Sequence, residues 1–246
     1  MRRILRAVRS PIYYRAAWNT LRYFKSPLWV LSCYLGLFRS GFPTSLTIDY
    51  KGRSASFTVF TPDDVVTAIE CFGKQDYAAV SSARCVVDFG SNIGISVLYF
   101  LTHFPESRVY AYEPDPKNIE RLRLNLSTHA DRYELDPSAV GAKAGRAKFG
   151  REPTGRYGGL GLDFPDQIEV EVRDADEILC KILAIEGVID LLKIDVEGQE
   201  RAVLLALSET TLRGIRSIAV ELSGASLALP GFRASKQGGV VTYVRE

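Results

Sequence analysis

Carboxylates crowd around a glycine in LLKIDVEGQE (residues 191–200), directly after an apolar run that predicts a buried strand. Ligands of open α/β sheets bind at the carboxyl ends of the strands, so Asp195 and Glu197 should face a ligand crevice. A carboxylate there could accept a proton from a nucleophile, orient it, or help to hold a divalent cation. We predict Asp195 as the catalytic base or orienting group and Glu197 as the second candidate. A structural turn at Gly198, with Glu200 favouring the next helix, is the remaining alternative.

A second chemical pattern is the loop VVDFGSNIG (residues 86–94), which joins an apolar strand to a predicted helix. Gly90 and Gly94 let the backbone turn sharply and bring a ligand to the helix N-terminus. A dinucleotide enzyme would carry G-x-G-x-x-G, but Asn92 takes the place of the second glycine. Asp88 would also oppose a diphosphate and favour a cationic ligand. The candidate ligand-binding residues of the loop are Asp88, Gly90, Ser91, Asn92 and Gly94.

Glu113 ends the following strand, in YAYEP, nineteen residues after Gly94. A carboxylate at this place can accept two hydrogen bonds from the hydroxyls of a ribose. A ribose acid beside an acidic glycine loop, with no phosphate-binding pattern, describes a nucleoside that carries a positive charge. S-adenosylmethionine fits this description, and incidental acids at the strand ends of an α/β domain are the alternative.

Strands and helices alternate from residue 84 onward and must position these residues. The predicted strands are RCVVDFG, RVYAYEP, YELDPSAVG, IEVEVR, VIDLLKIDV and SIAVELSG, and the predicted helices are NIGISVLYFLTHF, PKNIERLRLNLSTH, ADEILCKIL and QERAVLLALSETTL. This order predicts an α/β fold whose mostly parallel sheet has helices on both faces. Before it, residues 44–60 predict a hairpin that turns at Lys51-Gly52-Arg53, and TPDDVVTAIECF predicts a helix capped by Thr61. The glycine-rich stretch 150–165 predicts an exposed loop or a lid.

Basic charge is concentrated in the first 48 residues, which contain eight Arg and Lys side chains and no acid. The rest of the chain holds 23 basic and 29 acidic side chains, although the whole protein has a formal net charge of +2. We predict residues 1–43 as a basic, aromatic-rich helical segment ahead of a folded domain. The segment would pack on the domain with solvated arginines, or lie on an anionic membrane surface; nucleic acid is the least favoured partner.

Four cysteines lie far apart, among apolar neighbours and without a C-x-x-C pair: Cys33, Cys71, Cys85 and Cys180. They predict buried free thiols in a reducing compartment. With only two histidines, the chain has little from which to build a His-based metal site or a Ser-His triad. The apolar stretch PLWVLSCYLGLF is too short to cross a bilayer and starts too late for a signal peptide. We therefore expect a cytoplasmic protein, with contact at the inner face of the membrane as an alternative.

Three segments together resemble the FkbM-type methyltransferases, which use S-adenosylmethionine. The segments are VVDFGSNIGISVLYF, VYAYEPDPKNIERLRLN and DLLKIDVEGQERAVL. The family carries D-x-G-x-N-x-G, E-P-x-P-x-N and K-x-D-x-E-G-x-E in this order, and the likeness spans residues 57–223. It implies a Rossmann-like methyltransferase sheet of seven strands, the last one antiparallel. The methyltransferase domain would occupy residues 44–246, with its core at residues 84–223.

The resemblance also implies which residues hold the cofactor. The glycine loop would lie at the methionine end, and Glu113 would bind the ribose. Asn118 matches a family position in the helix that follows, and Ser138 and Ala139 would lie near the adenine. The candidates outside the loop are therefore Glu113, Pro114, Asn118, Ser138 and Ala139. The chain departs from the family at RYGGLG, where a serine-containing segment is usual.

The residues and the resemblance together predict an O-methyltransferase. Methylation of amino groups on bases or glutamine usually comes with an N/D-P-P-Y/F turn after this strand, and KIDVEG stands in its place. The resemblance implies acceptors such as sugar hydroxyls of glycans or hydroxyls of natural products. The alternatives are a dinucleotide-dependent sugar oxidoreductase, an RNA methyltransferase steered by the basic N-terminus, and a binding module without catalysis.

Overall fold

The computed structural model describes residues 11–78, 80–152, 158–222 and 224–246. The helices are α1 (Pro11–Tyr23), α2 (Pro27–Tyr34), α3 (Pro62–Ala68), α4 (Ile95–His103), α5 (Pro116–Asn125), α6 (Ala175–Glu186), α7 (Glu200–Ala206) and α8 (Glu209–Arg213). A π-helical turn (Ile69–Lys74) continues α3, and a 3-10 turn covers Ser127–His129. The strands are β1 (Thr44–Tyr50), β2 (Arg53–Val59), β3 (Cys85–Phe89), β4 (Arg108–Tyr112), β5 (Tyr133–Asp136), β6 (Ala139–Gly141), β7 (Gly145–Arg151), β8 (Gly158–Leu160), β9 (Asp166–Asp174), β10 (Leu191–Ile194), β11 (Ser217–Glu221), β12 (Phe232–Gln237) and β13 (Val240–Arg245).

The main sheet has seven strands in the order β12-β13-β11-β10-β3-β4-β5. The five strands from β11 to β5 are parallel, and β13 runs antiparallel to both of its neighbours. Neighbouring residues of β3 belong to different cores: Val86 packs with α4 on one face, and Val87 with α6 on the other. This confirms the predicted α/β fold with a mostly parallel, helix-covered sheet and an antiparallel final strand.

The register of the central strands brings their carboxyl ends to one level. Ile194 of β10 pairs with Phe89 of β3, and Phe89 pairs with Tyr112 of β4. The residues that follow these strands therefore begin side by side at the same edge of the sheet. This is the edge where ligands of open α/β sheets bind.

A second, four-stranded sheet in the order β6-β9-β7-β8 lies between β5 and α6 in sequence. The prediction of one strand over YELDPSAVG was wrong, because the chain breaks at Pro137-Ser138 and enters this second sheet as β6. Proline cannot donate a ladder hydrogen bond, which suits such a break.

The prediction of a loop or lid over residues 150–165 was also wrong in part, since this stretch includes β8 and the end of β7. Residues 153–157 of that stretch lie outside the described residues.

The predicted hairpin and the predicted capped helix are both confirmed. β1 and β2 pair across the two-residue turn Lys51-Gly52, whose φ angles of 50° and 80° suit the right-handed twist of a hairpin. Thr61 caps α3 and forms a reciprocal capping box with Asp64. The helix does not simply continue, however, because its last turn widens into the π-helical turn. Such a turn displaces the side chains that follow it and often lies at a functional site.

The N-terminal helices α1 and α2 pack onto the domain. Ala16 and Phe24 of this region belong to the same hydrophobic core as Ile48, Phe72 and residues of α4. Asn19 donates a hydrogen bond to the carbonyl of Gly73 at 2.8 Å, which fixes α1 against the π-helical turn. Residues 1–10 of the predicted basic segment lie outside the described residues.

Two further predictions were wrong in detail. The helix expected over QERAVLLALSETTL is divided at Leu207, and Ser208 caps α8 through the N–H of Thr211. Cys33, Cys71 and Cys85 are buried free thiols as predicted, but Cys180 of α6 is exposed. Within the described ranges, every helix is too short or too polar to span a bilayer.

Candidate functional site

A cavity of about 380 Å³ opens at the carboxyl ends of β3, β4, β10 and β11, and the second sheet forms its opposite wall. Nearly all the residues predicted for a site line this cavity: Gly90, Ser91, Asn92, Glu113, Pro114, Asn118, Ser138, Ala139, Asp195 and Glu197. Two predicted residues, Asp88 and Gly94, do not line it. The structure thus brings together residues that lie up to 107 positions apart, from Gly90 to Glu197.

Glu113 marks one end of the cavity. It is buried, and its carboxylate accepts hydrogen bonds from the backbone N–H of Asn92 at 2.8 Å and of Asp115 at 2.9 Å. The side chain of Asn118 also hydrogen-bonds to it. Burial raises the pKa of Glu113 to about 7, although these hydrogen bonds oppose the shift. Glu113 is therefore held in one orientation, and its ionisation falls in the physiological pH range.

The glycine loop has a backbone that few other sequences could adopt. Asn92 has a φ of 48°, a left-handed conformation that asparagine tolerates better than most residues. Gly90 has a φ of 83°, and a Cβ atom there would lie 1.9 Å from the carbonyl oxygen of Asp195. The loop therefore touches the strand end that carries Asp195, and only glycine permits this contact. Gly94, with a φ of 84°, starts α4 and packs against Leu122 behind the cavity.

Asp88 lies behind the cavity wall and forms a buried ion pair. Its carboxylate accepts hydrogen bonds from Ser96 and, at 2.9 Å, from Nζ of Lys193. The expectation that Asp88 faces a cationic ligand directly does not match this placement, because both of its oxygens are engaged inside the protein. The physical reason is that β10 places a lysine beside β3 in the register, so the nearest cation is internal.

Lys193 connects both halves of the site. Its Nζ also donates to the carbonyl of Gly90 at 2.9 Å and lies 3.3 Å from Oδ2 of Asp195. Burial alone would lower the pKa of Lys193, but the carboxylates of Asp88 and Asp195 outweigh burial and raise it. The lysine is therefore a permanent charge that fixes the glycine loop and one oxygen of Asp195 at the same time.

The opposite end of the cavity is acidic. Asp195 and Glu197 are half-buried, and Glu200 accepts the N–H of Gly198 at 3.0 Å while it also lines the cavity. The interpretation of Glu200 as a helix-dipole residue is therefore incomplete. Glu70 from the π-helical turn and Glu221 from the end of β11 join this group, so five carboxylates share the end of the cavity.

Glu221 has an unusual ionisation within this acidic group. Burial raises its pKa to about 8, and the negative charge of Asp195 is the next largest cause. Glu221 is exposed to water, so the shift describes its protonation rather than a contribution to stability. A proton can therefore be taken up or released here near neutral pH.

The second sheet and the β5–β6 connection form the wall beside Glu113. Ser138 is buried, lines the cavity, and has a hydroxyl oxygen without a hydrogen-bond partner in the protein. Buried polar groups are normally satisfied, so this hydroxyl is suited to a polar ligand atom. Gly159 of β8 lies so close to the turn after β10 that a Cβ atom would come within 2.7 Å of the carbonyl of Glu197. The wall therefore contacts the turn after β10 directly.

Several residues of the site were not assigned a role from the sequence. Lys193 has a signal in the K-x-D-x-E-G pattern, but an alternating strand pattern does not reveal that its partner would be Asp88. Glu70 and Tyr77 have no signal beyond their neighbourhood, because the π-helical turn that directs Glu70 to the cavity is not encoded in a local pattern. Tyr77 is buried, and the ammonium of Lys193 lies 5.8 Å from its ring centre.

A smaller recess of about 190 Å³ adjoins the acidic end and shares Glu70, Tyr77 and Glu221 with the main cavity. Ile12 and Tyr13 of α1 form its outer wall. In the part of the chain that the structure describes, no three Asp, Glu, His or Cys side chains are placed to hold a metal ion together.

Comparisons of the sequence with known proteins identify its family. The model of the Methyltransferase FkbM domain family matches residues 88–228. The 31-O-demethyl-FK506 methyltransferase FkbM of Streptomyces tacrolimicus is 29% identical over 191 residues, covering 65% of this chain and 74% of that protein. The 2-O-methyltransferase NoeI of Sinorhizobium fredii is 30% identical over 162 residues, covering 58% of this chain and 64% of that protein. A methyltransferase structure from Geobacter sulfurreducens covers 69% of this chain and 74% of its own, at 19% identity and a TM-score of 0.42.

Proposed function

Because this chain belongs to the FkbM family of methyltransferases, which use S-adenosylmethionine, we propose that it methylates a hydroxyl oxygen of a sugar or a natural product. The relatives named as a 31-O-demethyl-FK506 methyltransferase and a 2-O-methyltransferase support oxygen as the acceptor. The observation that carries the proposal is that a single cavity contains both Glu113, a carboxylate suited to bind ribose, and the group of acidic side chains around Asp195. We assign the methyltransferase domain to residues 44–246, its core to residues 84–223, and a separate role to residues 1–43.

The residues present fit S-adenosylmethionine. Glu113 offers carboxylate oxygens at the cavity edge for the ribose hydroxyls, and Ser138 offers an unpartnered hydroxyl beside it, where we place the adenine. Gly90, Ser91 and Asn92 line the cavity, and Gly90 lies against the strand end that carries Asp195, which suits a cationic methionine portion. Asp88 and Gly94 support this loop from behind and would not contact the cofactor themselves. Pro114, Asn118 and Ala139 complete the proposed pocket.

When bound, the cofactor supplies an electrophilic methyl group on a sulfonium. The work of the chain is then to hold the acceptor hydroxyl in line with that methyl group and to receive the hydroxyl proton. Positioning of this kind can supply roughly 7–11 kcal/mol of a barrier. Asp195 is our first candidate to orient the acceptor or take its proton, because Lys193 fixes one of its oxygens. Glu197 remains the second candidate from the motif.

Glu221 is an additional candidate for the proton acceptor. It lines the same acidic end, and its pKa of about 8 suits a base that works near neutral pH. The two carboxylates can be separated by experiment. If Asp195 takes the proton, Asp195→Asn should lower kcat by roughly 10²–10⁴-fold while Glu221→Gln keeps the acid limb of the pH profile. If Glu221 takes it, that limb should disappear in Glu221→Gln.

The proposed cofactor is tested by isothermal titration of the protein with S-adenosylmethionine and S-adenosylhomocysteine. We expect micromolar binding of both, strong weakening in Glu113→Ala, and no heat with NAD. Glu120→Ala is the matched control, because Glu120 lies exposed on the neighbouring helix α5 and does not line the cavity. A folded protein that binds neither sulfur nucleoside would contradict the proposal.

The acceptor is tested by measuring S-adenosylhomocysteine release with panels of glycans, hydroxylated natural products and RNA. Turnover with a hydroxyl compound, abolished in Asp195→Asn while cofactor affinity is kept, is the expected result. Turnover restricted to RNA bases would contradict O-methylation. The protein would then be a methyltransferase with a different acceptor.

A further inference from the structure

The two N-terminal helices carry an apolar surface that nothing in the described structure covers. Ten large hydrophobic side chains are exposed among the described residues, and seven of them lie within residues 14–38: Tyr14, Trp18, Leu21, Leu28, Leu35, Leu37 and Phe38. Scattered single apolar residues on a surface are normal, but a concentration of this kind marks an interaction site.

The helical periodicity shows that this surface is the outer face of α1. Ala16, Asn19 and Thr20 are buried against the domain. Tyr14, Trp18 and Leu21 are spaced by four and three residues, which places them together on a different face of the same helix. Trp18 is 66% exposed, although tryptophan is rarely left in water.

The second helix repeats the arrangement. Val30 and Cys33 of α2 are buried, whereas Leu28 and Leu35, seven residues apart, are 74% and 57% exposed. Leu37 and Phe38 continue the exposed surface immediately after the helix. Both helices therefore use one face to join the domain core and keep a second apolar face outside.

The charge of this region identifies its partner. Residues 1–48 contain no acid, and Arg15, Arg22 and Arg39 are exposed in the same stretch of chain as the apolar side chains. A second copy of the chain would bring one acid-free basic surface against another, which the like charges oppose. Nucleic acid would not account for a row of exposed leucines. An anionic bilayer accounts for both, since it receives aromatic and aliphatic side chains between its headgroups and attracts arginine.

We propose that the outer face of α1 and α2 docks the protein on the surface of an anionic lipid bilayer. The inner side of α1 forms the wall of the recess that adjoins the acidic end of the cavity. Docking would therefore bring this end of the site close to the lipid headgroups. A hydroxyl compound attached to a lipid would then be presented next to the cavity. This statement about the acceptor rests on the proposed function and deepens it, whereas the docking itself does not depend on it.

The proposal is tested by flotation of the full-length protein with vesicles of phosphatidylcholine alone and of phosphatidylcholine with phosphatidylglycerol. We expect binding to the anionic vesicles, weakened by salt. Trp18→Ser/Leu21→Ser should abolish it. Arg22→Gln/Arg39→Gln should lower the partition coefficient roughly 25-fold, because each basic residue at such a surface contributes roughly fivefold. Leu124→Ser/Ile185→Ser is the matched control, since these side chains are 57% and 74% exposed elsewhere and should not affect binding.

The intrinsic fluorescence gives a second readout. The protein has two tryptophans, and Trp29 is partly buried against Phe42, so a blue shift on adding anionic vesicles would report Trp18 entering the bilayer. Absence of flotation by the wild type, or flotation that survives Trp18→Ser/Leu21→Ser, would overturn the proposal. So would a dimer or an RNA complex that depends on Trp18 and Leu21 and forms without vesicle binding. None of these outcomes depends on cofactor binding, so failure here is distinct from failure of the proposed function.

Discussion

At the scale of single residues, two properties of Glu113 bear on the ribose binding proposed for it. Two backbone N–H groups hold its carboxylate, and burial brings its pKa to about 7. A ribose hydroxyl donates its hydrogen bond to the ionised form, so the affinity for the nucleoside should follow the charge of this one side chain.

Binding of S-adenosylmethionine should therefore weaken as the pH falls through about 7. The raised pKa means that Glu113 is protonated below this value and ionised above it. We expect the dissociation constant to be roughly tenfold higher at pH 6 than at pH 8, measured by calorimetry in matched buffers. Glu113→Gln should bind more weakly but without this pH dependence. An unchanged pH dependence in that variant would assign the titration to another group.

Lys193 and Asp88 form a fully buried pair, and removal of one partner leaves the other without compensation. Lys193→Met should lower the free energy of unfolding by roughly 3–5 kcal/mol, because Asp88 would stay buried without its cation. Asp88→Asn/Lys193→Met should recover part of this loss but not the methyltransferase activity, since Gly90 and Asp195 would still lack their donor. Urea denaturation and initial rates would measure the two effects. If the double variant recovered stability and methyltransferase activity to the same extent, a positioning role for Lys193 would be contradicted.

The sequence was sufficient to place most of these residues at one site. Strand ends in an α/β pattern are fixed by apolar runs, so Glu113 and Asp195 could be assigned to the same edge. It was not sufficient for Asp88, whose position in the pattern is the same whether the side chain faces a ligand or a buried lysine. That difference depends on the pairing of β3 with β10, which no local pattern contains.

At the scale of elements, the second sheet is what closes the cavity opposite the parallel strands. Its strand β8 reaches the turn after β10, and Gly159 makes this contact possible. Short strands such as β8 are difficult to predict, because three residues rich in glycine resemble a loop. The stretch that contains β8 was accordingly expected as an exposed loop or a lid, whereas the longer elements from β3 to α5 agreed with their predicted ranges within a few residues.

Gly159→Val should displace β8 from the turn after β10. Its side chain would meet the carbonyl of Glu197 and Leu162, which cannot both move away within a packed sheet. We expect a several-fold rise in KM for the acceptor with little change in cofactor affinity, because Glu113 lies at the other end of the cavity. Gly161→Ala is the control, since no atom lies within 4 Å of a Cβ there, although its φ of 70° makes a small loss of stability expected. Loss of cofactor binding in Gly159→Val would show instead that the second sheet supports the end of the cavity that contains Glu113.

At the scale of the whole molecule, the N-terminal helices and the sheet share one core. Ala16, Phe24 and Val30 are buried in the same cluster as Leu98 and Leu191. The charge asymmetry of the sequence suggested a separate segment, and the amphipathic pattern alone could not show which face would be buried. The described part of the segment is therefore expected to unfold together with the methyltransferase core.

Cofactor binding should stabilise this unit as a whole. At a concentration of S-adenosylmethionine 100-fold above its dissociation constant, the gain is about 2.7 kcal/mol. For a chain of this length the gain corresponds to a rise in Tm of roughly 5–10 °C. Differential scanning calorimetry should show one transition that moves upward in the wild type and stays in place in Glu113→Ala. A second transition that does not respond to the ligand would separate the N-terminal helices from the core.

The ion pair between Asp88 and Lys193 also has a consequence for biosynthesis. The two residues are 105 positions apart, so at about 5–20 residues per second a ribosome makes the lysine roughly 5–20 s after the aspartate. During this interval β3 carries an acid destined for the interior without its cation. The strand therefore has an electrostatic reason to stay undocked until β10 emerges. In this protein β3 is made early, but the charge that lets it enter the core arrives late.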